Sequence, residues 1–213
     1  MRLVILGAPG AGKGTQAEHL GTLLSIPTIS TGMMIRRAIR GKTELGIAVK
    51  KYIDDGQLVP DSIMTELINQ RLSDEDCVNG FILDGYPRTV TQAEALDKSA
   101  VVIDKILSIE VEDEEILKRL SGRVECEKCG APYHMIYRLP EKEGICDKCG
   151  NRLVHRDDDT PEVIKKRLVN YHTITEPLKS YYENQGKLCI AYGKEEIKDT
   201  TREVLKVLGL EEI

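Results

Sequence analysis

The stretch GAPGAGKGT, from Gly7 to Thr15, follows a short apolar run and leads into a pattern typical of a helix. The spacing of Gly7, Gly12 and Lys13 matches a phosphate-binding loop, with Gly14 inserted before Thr15, where a hydroxyl residue usually follows the lysine directly. Glycines let backbone N–H groups turn inward around phosphate oxygens, and the following helix adds its positive end. A plain glycine turn is the alternative, but the lysine and the strand–loop–helix context argue against it.

Five apolar runs predict the strands of a sheet. They are Arg2 to Gly7, Ile26 to Ser30, Phe81 to Asp84, Lys105 to Val111 and Lys187 to Tyr192. Helical patterns separate these runs, and strands that alternate with helices favour a parallel, doubly wound α/β sheet with helices on both faces.

Capping residues mark where two of the helices begin. We expect Asp61 to be the N-cap of one helix. Thr160 is the expected N-cap of another, with Pro161 at its first position. Pro177 should end that second helix and begin the next one, because proline lacks the N–H that a helix interior needs.

Two stretches fit this alternation poorly. Residues 31–59 are helical in pattern without a strong strand, and residues 122–158 contain paired cysteines and several turn residues. Both are interpreted as insertions at the edge of the sheet, and we expect both to be mobile.

Composition and charge exclude several classes of protein. With 213 residues, 41% hydrophobic and 31% charged, the chain suits one sizeable α/β domain with small insertions. A net charge of −5 argues against general binding to nucleic acid or membranes, which requires a basic surface. The apolar start MRLVILGA is too short for a signal peptide. These features favour a cytoplasmic protein, and the absence of an exposed apolar stripe in the sequence favours a monomer.

Four of the six cysteines have the spacing of a zinc site. They form two Cys-x2-Cys pairs separated by sixteen residues, namely Cys126 with Cys129 and Cys146 with Cys149. Four thiolates complete a tetrahedral Zn²⁺ shell and leave no position open for catalysis. The other two, Cys77 and Cys189, lie alone in apolar stretches, as buried thiols usually do. The sequence therefore predicts a structural zinc ion.

Asp84 ends the apolar run FILD, at the position where phosphate-loop proteins hold Mg²⁺ directly or through water. A strand ending in aspartate is common by itself. Next to this phosphate-binding loop, however, the aspartate indicates a magnesium site.

Seven segments in order along the chain together resemble adenylate kinases, and more narrowly the bacterial type with a long, zinc-containing lid. These segments are GAPGAGKGTQA, STGMMIR, GQLVPD, DGYPRTVTQAEAL, GRVECEKCGAPYH, RDDD and IKKRLVNYHTITEPLKSYY. The resemblance implies reversible phosphoryl transfer from MgATP to AMP, giving two ADP. It also implies a core of residues 1–30, 60–121 and 160–213, an AMP-binding domain of residues 31–59 and a zinc-containing lid of residues 122–159.

The resemblance also implies roles for single residues. The catalytic set is Lys13, Asp84, Arg88, Arg123, Arg156 and Arg167. The ATP-binding set is Gly10, Ala11, Gly12, Lys13, Gly14, Thr15, Arg119 and Arg123, with Arg119 stacked on the adenine. The AMP-binding set is Thr31, Arg36, Gln57, Val59, Gly85, Arg88, Gln92, Arg156 and Arg167. Thr31 and Gln92 would contact the acceptor base, since a glutamine amide offers both a donor and an acceptor to the edge of adenine.

One residue departs from the family pattern. The family usually has aspartate after the segment STG, whereas this chain has Met33. The change removes a carboxylate from near the phosphate cleft and from the solvent network around Mg²⁺.

The sequence bears on three other functions. A kinase of the same fold that acts on UMP, CMP or GMP remains open. A zinc ribbon that binds nucleic acid should interleave basic and aromatic residues, but acidic residues such as Glu125 and Asp147 are mixed among the lysines of this segment. A regulatory GTPase should carry an Asn-Lys-x-Asp motif, which the sequence lacks.

Overall fold

The computed structural model describes residues 1–211, and within that range the chain forms two sheets. In chain order the strands are β1 (Arg2–Leu6), β2 (Thr28–Ser30), β3 (Phe81–Asp84), β4 (Lys105–Glu110), β5 (Arg123–Cys126), β6 (Pro132–His134), β7 (Leu153–Val154) and β8 (Leu188–Tyr192). The larger sheet is parallel, with the order β2-β3-β1-β4-β8. This arrangement confirms the predicted five-stranded parallel α/β fold.

Helices connect the strands of the large sheet and fill one insertion. They are α1 (Lys13–Leu24), α2 (Thr31–Arg40), α3 (Glu44–Asp54), α4 (Asp61–Leu72), α5 (Val90–Asp97), α6 (Asp113–Ser121), α7 (Pro161–Asn170), α8 (Leu178–Glu183) and α9 (Ile197–Leu208). None of the helices in the described part of the chain combines the length and the apolar character needed to cross a membrane.

Strand β1 lies at the centre of the large sheet and is covered on both faces. Its residues Leu3, Val4 and Ile5 are essentially inaccessible to solvent, which explains why the strand is a continuous apolar run. Strand β1 pairs with β3 so that Ile5 lies opposite Asp84. The carboxyl ends of these two strands therefore bring the loop after β1 next to Asp84.

One of the three helix-boundary predictions is confirmed and one is wrong. The third is confirmed only in part, because Pro177 is the N-cap residue of α8 but α7 has already ended at Asn170. Thr160 is the N-cap of α7, and its hydroxyl accepts a hydrogen bond from the Val163 N–H. Helix α7 ends at Asn170, a π-helical turn follows, and Pro177 precedes α8. Asp61, however, is not an N-cap, because it is already the first residue of α4.

The Asp61 carboxylate accepts hydrogen bonds from two other residues instead of capping its own helix. The Thr89 hydroxyl and the Gln92 amide nitrogen donate to it, at 2.9 and 2.7 Å. Both donors are far along the chain, so local sequence could not indicate them.

The two insertions have different structures. Residues 31–59 contain helices α2 and α3 and no strand, as expected; the helices pack so closely that a Cβ on Gly46 would lie 2.1 Å from the Ala38 carbonyl oxygen. Residues 122–159 contain a three-stranded antiparallel sheet, β6-β5-β7. Its small core includes Cys126, Tyr133 and Cys146. This second insertion is called the lid below.

Candidate active site

A cleft of about 700 Å³ lies at the carboxyl ends of β1 and β3. Its walls come from the loop after β1, helix α2, the lid and helix α7. Fourteen residues of the predicted catalytic and nucleotide-binding sets line this one cleft: Gly10, Ala11, Gly12, Lys13, Gly14, Thr15, Arg36, Asp84, Gly85, Arg88, Arg119, Arg123, Arg156 and Arg167.

The loop after β1 has the backbone geometry of an anion-binding loop. Gly10 and Gly12 have φ angles of 86° and 97°, a region that side chains other than glycine rarely adopt. Helix α1 begins at Lys13, so its unpaired N–H groups face the loop. The Lys13 ammonium donates to the carbonyl oxygens of Gly7 and Ala8, both at 2.8 Å. The loop thus presents backbone donors and one cation to the same space.

The electrostatic surroundings of Lys13 lower its pKa to about 7. Enclosure of the ammonium is the largest cause; the Asp84 carboxylate opposes the shift, while the guanidinium groups of Arg88, Arg167 and Arg123 add to it. An anion in the cleft would reverse this effect, because negative charge favours the protonated ammonium. Lys13 is therefore suited to a highly charged anionic ligand.

Asp84 lies beside the first turn of α1. The Ser30 hydroxyl donates to Asp84 Oδ2 at 3.2 Å. A Cβ on Gly14 would lie 3.6 Å from that same oxygen, so the glycine leaves space between the carboxylate and the helix. An oxygen ligand in this place, next to a phosphate-binding loop, suits Mg²⁺.

Arg88 and Arg167 are enclosed at the base of the cleft. Arg88 Nε donates to the Gly85 carbonyl oxygen at 2.9 Å. Burial lowers the pKa of Arg88, and Arg167 lowers it further. Burial is also the main cause of the lowered pKa of Arg167, which Asp158 opposes. Both groups remain cations at neutral pH, and an anion that replaced their lost hydration would bind strongly.

Arg123 and Arg167 share one carboxylate. Asp159 accepts two hydrogen bonds from Arg123, at 2.7 and 2.5 Å, and one from Arg167 at 2.9 Å. Asp158 contributes a further ion pair to Arg167 at 3.0 Å. These aspartates hold the guanidinium groups at the cleft wall, where their remaining N–H groups can reach a ligand.

Arg156 is held by Glu125, a residue that the sequence did not mark as functional. Its Nε donates to Glu125 Oε2 at 2.6 Å. Burial and the charges of Arg123 and Arg36 lower the pKa of Arg156 to about 9, while Glu125 opposes the shift. Arg156 thus lies in a dense group of cations that requires anions for balance.

The remaining residues of the predicted AMP-binding set do not line the cleft. Thr31 and Gln92 are each 2% exposed. The Thr31 hydroxyl donates to the Gly85 carbonyl oxygen, and Gln92 Oε1 accepts from the Arg88 N–H at 2.7 Å. Val59 belongs to the apolar core, and Gln57 is exposed on the loop after α3.

Arg119 and His134 connect helix α6 with its surroundings. Arg119 Nε lies 3.1 Å from Glu115, and its Nη2 donates to the Lys194 carbonyl oxygen at 2.8 Å. His134 Nδ1 accepts from the N–H of Ile136, which leaves Nε2 to donate to the Arg119 carbonyl oxygen at 2.9 Å. Both ring nitrogens of His134 therefore take part in hydrogen bonds within the protein.

The lid also contacts the helix that follows the phosphate-binding loop. Arg138 and Lys148 of the lid form ion pairs with Glu18 of α1. Sequence reasoning missed this contact. Charges separated by more than a hundred residues leave no local signal, since no periodicity relates them.

The four predicted metal-binding cysteines form one cluster. Their sulfur atoms all lie within 4.8 Å of one another. Cys126 Sγ is 3.4 Å from Cys149 Sγ, and Cys129 Sγ is 3.6 Å from Cys146 Sγ. These separations suit four thiolates around one ion, because Zn–S bonds of about 2.3 Å place tetrahedral sulfurs a little under 4 Å apart. The Tyr133 hydroxyl donates to Cys146 Sγ at 3.5 Å and helps to orient that ligand.

Comparison with known proteins agrees with this geometry. A family model described as adenylate kinase matches residues 5–187. The chain is 59% identical to the adenylate kinase of Caldicellulosiruptor bescii over 215 residues, covering 99% of this chain and all of that protein. The chain belongs to the adenylate kinase family.

Two further relatives extend the agreement. The adenylate kinase of Caldicellulosiruptor saccharolyticus is 57% identical, over 99% of this chain and all of that protein. The adenylate kinase of Acetivibrio thermocellus is 52% identical, over 98% of each chain. Membership of the adenylate kinase family makes the protein a nucleotide-binding phosphotransferase, in agreement with its parallel sheet and phosphate-binding loop.

Proposed function

We propose that the protein catalyses the reversible transfer of the terminal phosphoryl group of ATP to AMP, giving two ADP. The observation that carries this proposal is the convergence of Lys13 and seven arginines on one cleft beside a phosphate-binding loop. Phosphoryl transfer needs no covalent intermediate with the protein. Aligning the two phosphates and neutralising their charge are the main tasks, and this cleft suits both.

We propose separate phosphate-binding roles for the two ends of the cleft. The backbone of residues 10–15 and Lys13 hold the ATP phosphates, while Arg36 and Arg88 hold the monophosphate. Arg123, Arg156 and Arg167 contact the phosphoryl group in transfer. Arginine suits these roles because its planar guanidinium reaches two oxygens and stays charged.

Different residues are proposed to recognise the two nucleosides. Thr31, Gly85 and Gln92 form one hydrogen-bonded group with Arg88, which supports a binding site for the acceptor base beside its phosphate. Gln57 and Val59 are proposed to contact the AMP adenosine from the loop after α3. Arg119 is proposed to stack on the ATP adenine, since it lines the same cleft as the phosphate-binding loop.

Magnesium is proposed to enter with ATP and to be held through Asp84, directly or through water. It would neutralise charge on the ATP phosphates. The contact between Ser30 and Asp84 keeps that carboxylate directed at the phosphate-binding loop.

Zinc is proposed as the ion of the four-cysteine cluster, with a structural role. The lid core is small, and a bound zinc ion supplies on the order of 10 kcal/mol of apparent folding free energy to such a module. A stiffened lid can carry Arg123 and Arg156 onto the phosphates as one body. Closure also excludes water, which would otherwise accept the phosphoryl group.

The division into three parts follows from these roles. We propose a core of residues 1–30, 60–121 and 160–213, an AMP-binding domain of residues 31–59 and a mobile lid of residues 122–159. The ion pairs between Glu18 and the lid support a closed conformation of the lid.

Initial rates with different acceptors test the proposed function. MgATP consumption should be measured with AMP, GMP, CMP and UMP offered separately at equal concentration. Strong preference for AMP, with ADP as the only product, is the expected result. Comparable or faster rates with UMP, CMP or GMP would show that the acceptor assignment is wrong while leaving the fold in place.

A further inference from the structure

Glu125 is a buried carboxylate that contacts arginines from two separate segments of the chain. It lies on strand β5 of the lid, and its side chain is only 4% exposed. From the lid, Arg156 Nε approaches it at 2.6 Å. From helix α2, Arg36 Nε and Arg40 Nη1 each approach it at 3.3 Å. One carboxylate therefore joins the lid to the segment of residues 31–59.

The atoms used in these contacts leave the guanidinium tips available. Within residues 1–211, Arg156 donates its one side-chain hydrogen bond through Nε. The closest approach of Arg36 to Glu125 is also from Nε, as an ion pair in which that nitrogen has no hydrogen-bond partner. Each guanidinium keeps two terminal nitrogens, and both side chains line the cleft. A carboxylate on the Nε edge fixes the direction of the planar group and leaves the terminal nitrogens to bind a phosphate.

We propose that Glu125 is a positioning residue that aims Arg36 and Arg156 at the acceptor phosphate and links lid closure to acceptor binding. This inference rests on the proposed function, because it takes the two arginines to be phosphate ligands. The two guanidinium groups repel each other, and the shared carboxylate allows them to lie side by side before the phosphate binds.

A second contact between the same two segments shows that they meet at this place. The Met33 side chain of α2 lies against Gly130 of the lid, where a Cβ would be 3.0 Å from the Met33 sulfur. This contact is apolar, so it can bring the surfaces together but cannot orient a guanidinium group. Of the two contacts, only the one made by the Glu125 carboxylate can orient the guanidinium groups.

The test compares two substitutions that flank the same cysteine. Glu125→Gln removes the charge and keeps the shape, while Glu127→Gln changes a half-exposed carboxylate that pairs with Arg152 on the outside of the lid. The KM for AMP should rise about tenfold in E125Q and stay unchanged in E127Q. Zinc content and melting temperature serve as structural controls. A KM for AMP that is unchanged or lower in E125Q overturns the proposal, since a lower value would mean that Glu125 competes with the phosphate.

A double-mutant cycle separates positioning from a purely structural role. In an Arg36→Gln background, adding E125Q should raise the dissociation constant of AMP by less than about threefold, because one of the two side chains to be positioned is gone and only Arg156 remains. The full tenfold effect in that background would overturn the proposal.

If E125Q loses zinc or unfolds, Arg40→Gln provides a second test of the proposal. It removes one partner of Glu125 without changing the lid, and it should raise the KM for AMP about threefold. An unchanged KM in that variant overturns the proposal.

The experiments also separate failure of the proposed function from failure of this inference. Wild-type protein that transfers nothing to AMP would contradict the proposed function. Active wild-type protein with an unchanged KM for AMP in E125Q contradicts this inference alone.

Discussion

Arg138 Nη1 of the lid lies 2.9 Å from Glu18 Oε2 on helix α1, and Lys148 contacts the other oxygen of the same carboxylate. Partial burial opposes ionisation of Glu18, but the positive charges of these two side chains outweigh it and hold the pKa of Glu18 below its usual value. Because α1 begins at the phosphate-binding loop, this contact joins the lid to the helix that follows that loop.

Glu18→Gln should weaken lid closure over ATP. We expect the KM for ATP to rise about threefold, since the two lid cations lose a charged partner that is only partly screened by solvent. Steady-state kinetics at saturating AMP measure the change, with Glu183→Gln on the exposed end of α8 as the control. If the two variants have the same KM for ATP, the ion pairs contribute nothing to closure.

Lys13 should take up a proton when ATP binds. Its pKa is lowered to about 7 in the free protein, so much of the ammonium is neutral above that pH, and the phosphate charges of ATP should raise the pKa again. Calorimetric titration of ATP at about pH 8 in buffers of different ionisation enthalpy measures the uptake. Proton uptake should fade at about pH 6, where Lys13 is already charged. A binding enthalpy that is independent of the buffer at both pH values contradicts the expectation.

Arg88→Ala should slow turnover by about two to three orders of magnitude, the effect typical of losing one group that stabilises transition-state charge. Stability should change little, because Arg88 makes only one side-chain hydrogen bond within the described residues, to the Gly85 carbonyl oxygen. Turnover and melting temperature are compared with those of Arg37→Ala, an exposed residue of α2. Near-normal turnover in R88A would remove Arg88 from the phosphate site.

Removal of zinc should lower the melting temperature more than it lowers activity in the cold. The metal would stabilise the lid fold without contacting the reacting atoms. Chelation of the metal and the substitution Cys149→Ser should both lower the melting temperature in this way. Thermal unfolding measures the melting temperature, and initial rates well below the melting transition measure the activity. Activity that vanishes where circular dichroism still shows a folded lid would contradict a structural role.

His172 should make stability depend on pH. Its ring contacts Glu176 at 2.8 Å and Asp113 at 3.1 Å, and these carboxylates raise its pKa. The stabilisation is complete below the unfolded-state pKa of about 6.5 and is lost as the pH rises through the higher folded-state value. Between about pH 6 and pH 8.5, the wild-type melting temperature should fall more than that of His172→Asn. Parallel curves for the two proteins would contradict this prediction.

The sequence predicted the features that depend on local pattern. All five strands of the large sheet were predicted, and Phe81–Asp84 has the predicted bounds, because buried parallel strands are continuous apolar runs. The cysteine spacing likewise predicted the thiol cluster, since each Cys-x2-Cys pair closes within a single turn.

Pairings between distant charges could not be predicted in the same way. Glu125 and Arg36 are separated by almost ninety residues, and in the sequence Glu125 is one of several acidic residues in a mixed segment. Aspartate is a residue type typical of N-caps, but in the folded protein the Asp61 carboxylate accepts hydrogen bonds from Thr89 and Gln92. Only the tertiary structure determines which of several possible partners a charged or polar side chain has.

The central position of strand β1 has a consequence for synthesis of the chain. Strand β1 is made first, but its neighbours are β3 and β4, which end at Asp84 and Glu110. The apolar residues of β1 therefore stay uncovered until about half of the chain has left the ribosome. Such late, non-local pairing slows folding and leaves apolar surface exposed to aggregation. During this interval the nucleotide site cannot form, because its strands are not yet paired. The uncovered apolar residues of β1 are then accessible to a chaperone.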